Sequence, residues 1–206
     1  MLHRICGLFV VSLLGCPAAG SAQFGDCSAP IRVEWLGDGR QMRLLETYVY
    51  TDAAGHTWKA PKDAEIDGAS IPRPLWAVVG GPFEGHYRKA SVVHDVACEL
   101  PHGDPWRSVH RMFYEAMRCA GVTPLRAKVM YAAVFHFGPR WGDDEGSRAF
   151  ADRLDPHSMR KTAAQMTAYL RQKPNLNLIQ LEELTPAELD KWHPHVDAHV
   201  VLDDDE

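Results

Sequence analysis

What this 206-residue chain lacks narrows its function before any motif is read. Its 5 cysteines form no Cys-x-x-Cys pair, which argues against a zinc site built on cysteines. It has no His-Glu-x-x-His sequence, so the common helical signature of zinc hydrolases is missing. Its 22 Lys+Arg are outnumbered by 27 Asp+Glu and form no basic stripe, so the electrostatic footprint of a nucleic-acid binder is absent. The apolar run Ile5 to Leu14 is too short to span a bilayer. What remains is 46% hydrophobic, an ordinary globular composition, in a length that suits one domain with extensions.

Met1 to Arg4, the apolar run and the small residues Pro17 to Ala22 have the three regions of a secretory signal peptide, so residues 1–22 are expected to be removed. A second processing route is lipidation of Cys16, because Leu13-Leu14-Gly15-Cys16 is similar to a bacterial lipobox. Either way the expected location is periplasmic or secreted, with a lipid anchor under the second route and no transmembrane helix in the mature chain. Cleavage after Ala22 leaves Cys27, Cys98 and Cys119 in an oxidising compartment, an odd number that allows one intramolecular disulfide.

Ile31 to Trp35, Arg43 to Thr51 and His56 to Ala60 mix apolar and polar residues between turn-forming segments, predicting a small antiparallel sheet over residues 31–60. A loop with Pro72 and Pro74 follows over residues 66–74, then a short helix from Leu75 to Val79. Tyr87, Ala90, Ser91, His94, Ala97 and Cys98 recur at helical spacing. Asp104-Pro105 and Thr123-Pro124 read as starts of two more helices, giving a helical core over residues 87–137. Charge then shifts: residues 23–141 carry 14 Lys+Arg and 13 Asp+Glu, whereas residues 142–206 carry 7 and 14. The second stretch is expected to be an acidic, mostly helical extension, with a helix over Met159 to Leu170 and a capping box at Thr185 to Glu188.

If the helices on either side of His102 fold back antiparallel, residues equidistant from it face each other. His94 lies eight residues before it and His110 eight after, so the two are expected to meet. The same model puts Cys98 near the turn and Cys119 at the far end of the next helix, roughly 20 Å apart at 1.5 Å per residue. A disulfide is therefore expected to use Cys27.

Ile66-Asp67-Gly68-Ala69-Ser70-Ile71-Pro72-Arg73, Ala90 to Asp95, Phe113 to Met117 and Met130 to Trp141 resemble the bacterial and phage family called domain of unknown function 1353, over roughly Glu34 to Trp141. That name implies no activity. A fainter similarity links the Asp-Gly loop and the His-Asp helix to prokaryotic secreted phospholipase A2. It implies that His94 is the general base, that Asp95 holds calcium, and that Asp67 to Ser70 supply further oxygens. The chain departs from that pattern at His110, which stands where a supporting aspartate is expected; an imidazole cannot stabilise an imidazolium as a carboxylate does. Independently of any family, His94, Asp95 and His110, with His136 or Asp67, offer nitrogen and oxygen ligands for zinc.

The combined expectation is an α+β fold with His94 and His110 as catalytic residues and Asp95, Asp67 and Ser70 as ligands of a divalent cation, calcium or zinc. The expected function is a metal-assisted hydrolase acting on lipid or cell-envelope ester or amide bonds. The alternative is a non-catalytic envelope or interaction domain. There His94 and Asp95 are structural, Asp67 to Ser70 form an Asx-type turn, His136 favours its helix end, and Trp76 and Trp141 are core aromatics.

Overall fold

The computed structural model describes residues 22–37, 41–67, 71, 75–76, 80–81, 85–99, 103–142, 155–185, 187–188 and 190. The leader, the lipobox cysteine, Ser70 and the acidic terminus lie outside them.

Five short strands open the fold: β1 (Val33–Trp35), β2 (Met42–Leu44), β3 (Tyr48–Thr51), β4 (Thr57–Ala60) and β5 (Glu65–Ile66). They form two antiparallel sheets, β1-β2-β5 and β3-β4, rather than one three-stranded sheet. The segment Arg43 to Thr51, expected as one strand, is divided after Leu44, where Leu45 N turns to Arg32 O and Leu44 N to Ala64 O. That second bond brings β5 beside β2, so the chain expected to begin a loop at Ile66 is still paired there with Met42. The β3-β4 hairpin is closed by Asp52, whose carboxylate accepts from Ala54 N at 3.0 Å, His56 N at 2.9 Å and Trp58 Nε1 at 3.0 Å. Alternation along the hairpin buries Tyr48, Tyr50, Trp58 and Ala60 towards the helices.

Five helices follow: α1 (Arg88–Glu99), α2 (Trp106–Cys119), α3 (Pro124–Phe137), α4 (Pro156–Gln172) and α5 (Leu178–Glu183). The whole is α+β, as expected. α1 packs on the β3-β4 hairpin with one side and on α2 with the other, and α2 packs on α3. The α2 start differs from the expected one: the cap position is Pro105 rather than Asp104, and no side chain caps it. Thr123 does precede Pro124 as expected, again without a side-chain cap bond. α3 is the central helix, buried on nearly every side by Val129, Met130, Tyr131, Val134, Phe135 and Phe137.

The charge change at residue 142 does not coincide with an edge of the core. α4 begins at Asp155, whose carboxylate accepts from His157 N and Ser158 N, and lays Ala163, Met166 and Leu170 against the core through α3. α5 starts with a capping box at Asn177 and Gln180. The box expected at Thr185 is also formed, by Thr185 N to Glu188 Oε2 at 2.8 Å and Glu188 N to Thr185 Oγ1 at 3.2 Å. No helix among the described residues is long and apolar enough to cross a membrane.

A disulfide joins Cys27 to Cys119, and Cys98 is not part of it. The segment around Cys27 is anchored a second time by Lys89 Nζ, which donates to Cys27 O at 2.9 Å and Ala29 O at 2.8 Å. Gly25 lets it approach β3: with φ +88°, its position admits no Cβ, since one would lie 2.0 Å from Thr51 O. The far end of α2 is thus tied to the sheet layer, and the near end is left to the histidines.

Candidate functional site

His94 sits in the middle of α1 and His110 one turn into α2, and the two rings meet between the helices as the count about His102 predicts. His94 Nε2 and His110 Nδ1 are 2.9 Å apart, with 1% and 0% of each residue exposed. His110 Nε2 is 3.0 Å from Pro139 O. A carbonyl only accepts, so His110 carries its proton on Nε2 and its Nδ1 is a lone pair. His94 Nε2 must then donate to that lone pair. One backbone carbonyl thereby sets the tautomers of both rings, in the way outer partners orient metal-binding imidazoles.

Aromatic side chains enclose the pair. His94 stacks on Phe113 with ring centres 4.5 Å apart, and Trp106 and Trp141 meet His110 edge-on. Trp141 is held by its Nε1–H, which donates to Asp104 O at 2.9 Å. Desolvation here disfavours an imidazolium. Burial pushes the His110 pKa down to about 3, and burial together with His110 pushes that of His94 well below the ordinary histidine value. Both rings are neutral near pH 7, the form that can accept a proton or bind a metal.

Cys98 completes the cluster. It follows His94 by four residues, one turn on along the same face of α1, and its Sγ lies 3.7 Å from His94 Nε2. The ligand atoms of His94, Cys98 and His110 all lie within 4.8 Å of one another. The missing Cys-x-x-Cys pair argued against a cysteine ligand, yet a lone cysteine takes part here because the fold supplies two histidines from facing helices. The signal was present as His94-x-x-x-Cys98, two residues of one helical stripe.

The expected oxygen ligands are arranged differently. Asp95 is buried at 2% exposure, but it is rotated about 100° around α1 from His94, as consecutive helical residues are. Asp67, directly after β5, lies near Glu99, whose carboxyl pKa is raised by burial and by the Asp67 charge. Neither aspartate belongs to the histidine–cysteine cluster. Ser70 lies outside the described residues. His136, at the end of α3, points its Nε2 at Leu181 O, 3.2 Å away, and is also apart from the cluster.

Ser91, one turn before His94, has a buried hydroxyl with no hydrogen-bond partner among the described residues. A cavity of about 510 Å³ lies on the hairpin side of α1, lined by His56, Trp58, Lys59, Val93, Ala97 and Asp104 among others. His94, Cys98 and His110 are not among its lining residues, so the cavity does not contain the cluster.

Fold and site together define an α+β domain organised around a buried imidazole pair. Residues 42–134 match the family described as "Protein of unknown function (DUF1353)". The chain is 39% identical over 141 residues to the uncharacterized protein y4jT of Sinorhizobium fredii (strain NBRC 101917 / NGR234), covering 67% of this chain and 42% of that protein. It is 41% identical over 110 residues to the uncharacterized protein y4iH of the same strain, covering 53% of this chain and 46% of that protein. The chain thus spans less than half the length of these curated relatives. No solved structure matches it. None of these relatives carries an activity in its name, so the fainter similarity to phospholipase A2 gains no support from them.

Proposed function

We propose that this protein is an exported, metal-assisted hydrolase of ester or amide bonds in lipid or cell-envelope material, with its chemistry centred on His94 and His110. The observation that carries this reading is the buried His94–His110 contact of 2.9 Å, in which a single carbonyl fixes both tautomers and burial keeps both rings uncharged. Neutral imidazoles in a desolvated, pre-oriented pair are what proton transfer or metal ligation requires. The Cys27–Cys119 disulfide supports export, since such bonds persist in oxidising compartments.

Burial of both rings favours a second reading, a structural pair locking α1 to α2 in a non-catalytic interaction domain. Hydrolysis of phospholipid vesicles and of peptidoglycan by the wild type and by His94→Ala separates the two. The hydrolase reading expects activity in the wild type and its loss in the variant, with folding checked by circular dichroism. Absence of activity, or activity equal in both proteins, contradicts it.

A further inference from the structure

We propose that His94 Nε2, His110 Nδ1 and Cys98 Sγ hold a zinc(II) ion, leaving a fourth coordination position for water. This deepens the hydrolase reading by naming its metal and ligands, and it makes the half-buried Cys98 a functional residue.

The geometry comes first. Bond lengths of about 2.0 Å to nitrogen and 2.3 Å to sulfur in a tetrahedron put two nitrogens about 3.3 Å apart and a nitrogen and sulfur about 3.5 Å apart. The cluster has 2.9 Å between the nitrogens and 3.7 Å between His94 Nε2 and Cys98 Sγ. Admitting the ion requires the rings to part by about 0.4 Å and the His110 Nδ1 to Cys98 Sγ separation, which is within 4.8 Å, to settle near about 3.5 Å, movements that side-chain rotation supplies.

Proton positions agree. His110 Nδ1 is already a lone pair, with Nε2–H tied to the Pro139 carbonyl, the outer contact typical of a metal-bound histidine. The only hydrogen between the rings is the one on His94 Nε2. An entering ion takes its place; the His94 ring changes tautomer so that its proton sits on Nδ1 and the ring stays neutral, and the thiol proton of Cys98 leaves to solvent.

The donor set selects the metal. Two imidazoles and a thiolate contain no oxygen, which disfavours calcium and magnesium and suits zinc. Three protein ligands with an open position are the arrangement of catalytic rather than structural zinc, and one thiolate leaves a net positive centre that lowers the pKa of bound water. His94 then serves as a ligand, and the zinc-bound water becomes the group that the hydrolase reading deprotonates. Ser91, one turn before His94 on α1, has a buried hydroxyl with no hydrogen-bond partner among the described residues.

The test uses the purified protein with its disulfide intact, stripped of metal by a chelator and titrated with cobalt(II), then with zinc. The expected result is one cobalt per chain, with a thiolate-to-metal charge-transfer band and the intense visible bands of a four-coordinate ion, both abolished when zinc displaces the cobalt. Cys98→Ser removes the charge-transfer band, and His110→Ala weakens zinc binding by at least about 100-fold, beyond the loss typical of an outer-sphere partner. Far-ultraviolet circular dichroism of each variant shows whether it is folded. Should His110→Ala unfold, His110→Gln supplies the same readout. No thiolate band in the wild type, or equal zinc affinity in folded Cys98→Ser, His110→Gln and wild type, overturns the proposal. Binding is read by absorption alone, so a zinc centre without hydrolysis sustains the site and defeats only the hydrolase reading. Hydrolysis that survives in Cys98→Ser without zinc does the reverse.

Discussion

The molecule buries histidines at two helix interfaces and treats them differently. At the α3–α5 interface His136 is alone: its Nε2 meets the Leu181 carbonyl, and Glu182 beside it takes Arg111 at 2.8 Å and the Tyr131 hydroxyl at 2.6 Å. His136, Glu182, Arg111 and Tyr131 each have a partner of opposite character there. At the α1–α2 interface two imidazoles point at each other beside a thiol, and one proton holds the pair together. Both environments lower histidine pKa values, with Arg140 adding its positive charge to burial at His110 and at His136. The lesson is that a depressed pKa does not mark the functional histidine. Convergence of several donor atoms on one point does.

The largest expected effect breaks the comparison at its functional side. Under the hydrolase reading His94→Ala lowers turnover by about 10²–10⁴-fold, the range for a lost catalytic group, while His136→Ala changes it by only a few-fold. Comparable losses in both variants would erase the distinction. Steady-state hydrolysis with both proteins confirmed as folded decides this.

Next is the scaffold that both histidine sites share. The Cys27–Cys119 bond spans a sequence separation of 92 residues, and its reduction is expected to lower stability by about 4.6 kcal/mol on the chain-entropy estimate. Because it fastens the end of α2 remote from His110, cobalt binding by protein that is still folded should survive reduction. Denaturant unfolding in the oxidised and reduced forms gives the first quantity, and the cobalt spectrum gives the second.

Acid sharpens the comparison from the structural side. His136 is held uncharged, its pKa lowered to about 4 chiefly by burial, against 6.5 when unexposed to the fold. Its contribution is therefore fully present above about pH 6.5 and is lost as pH falls towards 4, at most about 3 kcal/mol. His136→Leu should flatten part of that loss, the remainder belonging to His94 and His110. Melting temperatures between pH 7 and pH 4 for wild type and variant check this; parallel curves would contradict it. The smallest effect is expected from Trp141→Phe, which removes the hydrogen bond to Asp104 O and costs about 1 kcal/mol by thermal unfolding.

Much of this was legible in the sequence, for identifiable reasons. The helices are strongly periodic and punctuated by proline and glycine, so α1, α2 and α3 lie where spacing puts them, and counting outward from His102 pairs His94 with His110. The same count placed Cys119 too far from Cys98 for a bond and left Cys27 to make it. The strands were less legible because they are only two to four residues long, and their pairing is decided by contacts such as Leu44 N to Ala64 O that no local pattern encodes. Cys98 was overlooked as a ligand because metal motifs are usually sought as sequence-local pairs. Its partner on α1 is one helical turn away and the third ligand comes from another helix. The Pro139 carbonyl that sets the tautomers carries no side-chain signature at all.

Nitrogen-resolved NMR of the imidazoles, recorded on metal-free protein and again with one equivalent of zinc, tests the central claim most directly. The account predicts neutral His94 and His110 rings near pH 7, with the His110 proton on Nε2. Zinc should then shift His94 Nε2 and His110 Nδ1 while leaving both His136 nitrogens in place. Rings at 94 and 110 that ignore zinc, or a His110 whose proton is on Nδ1, would contradict it.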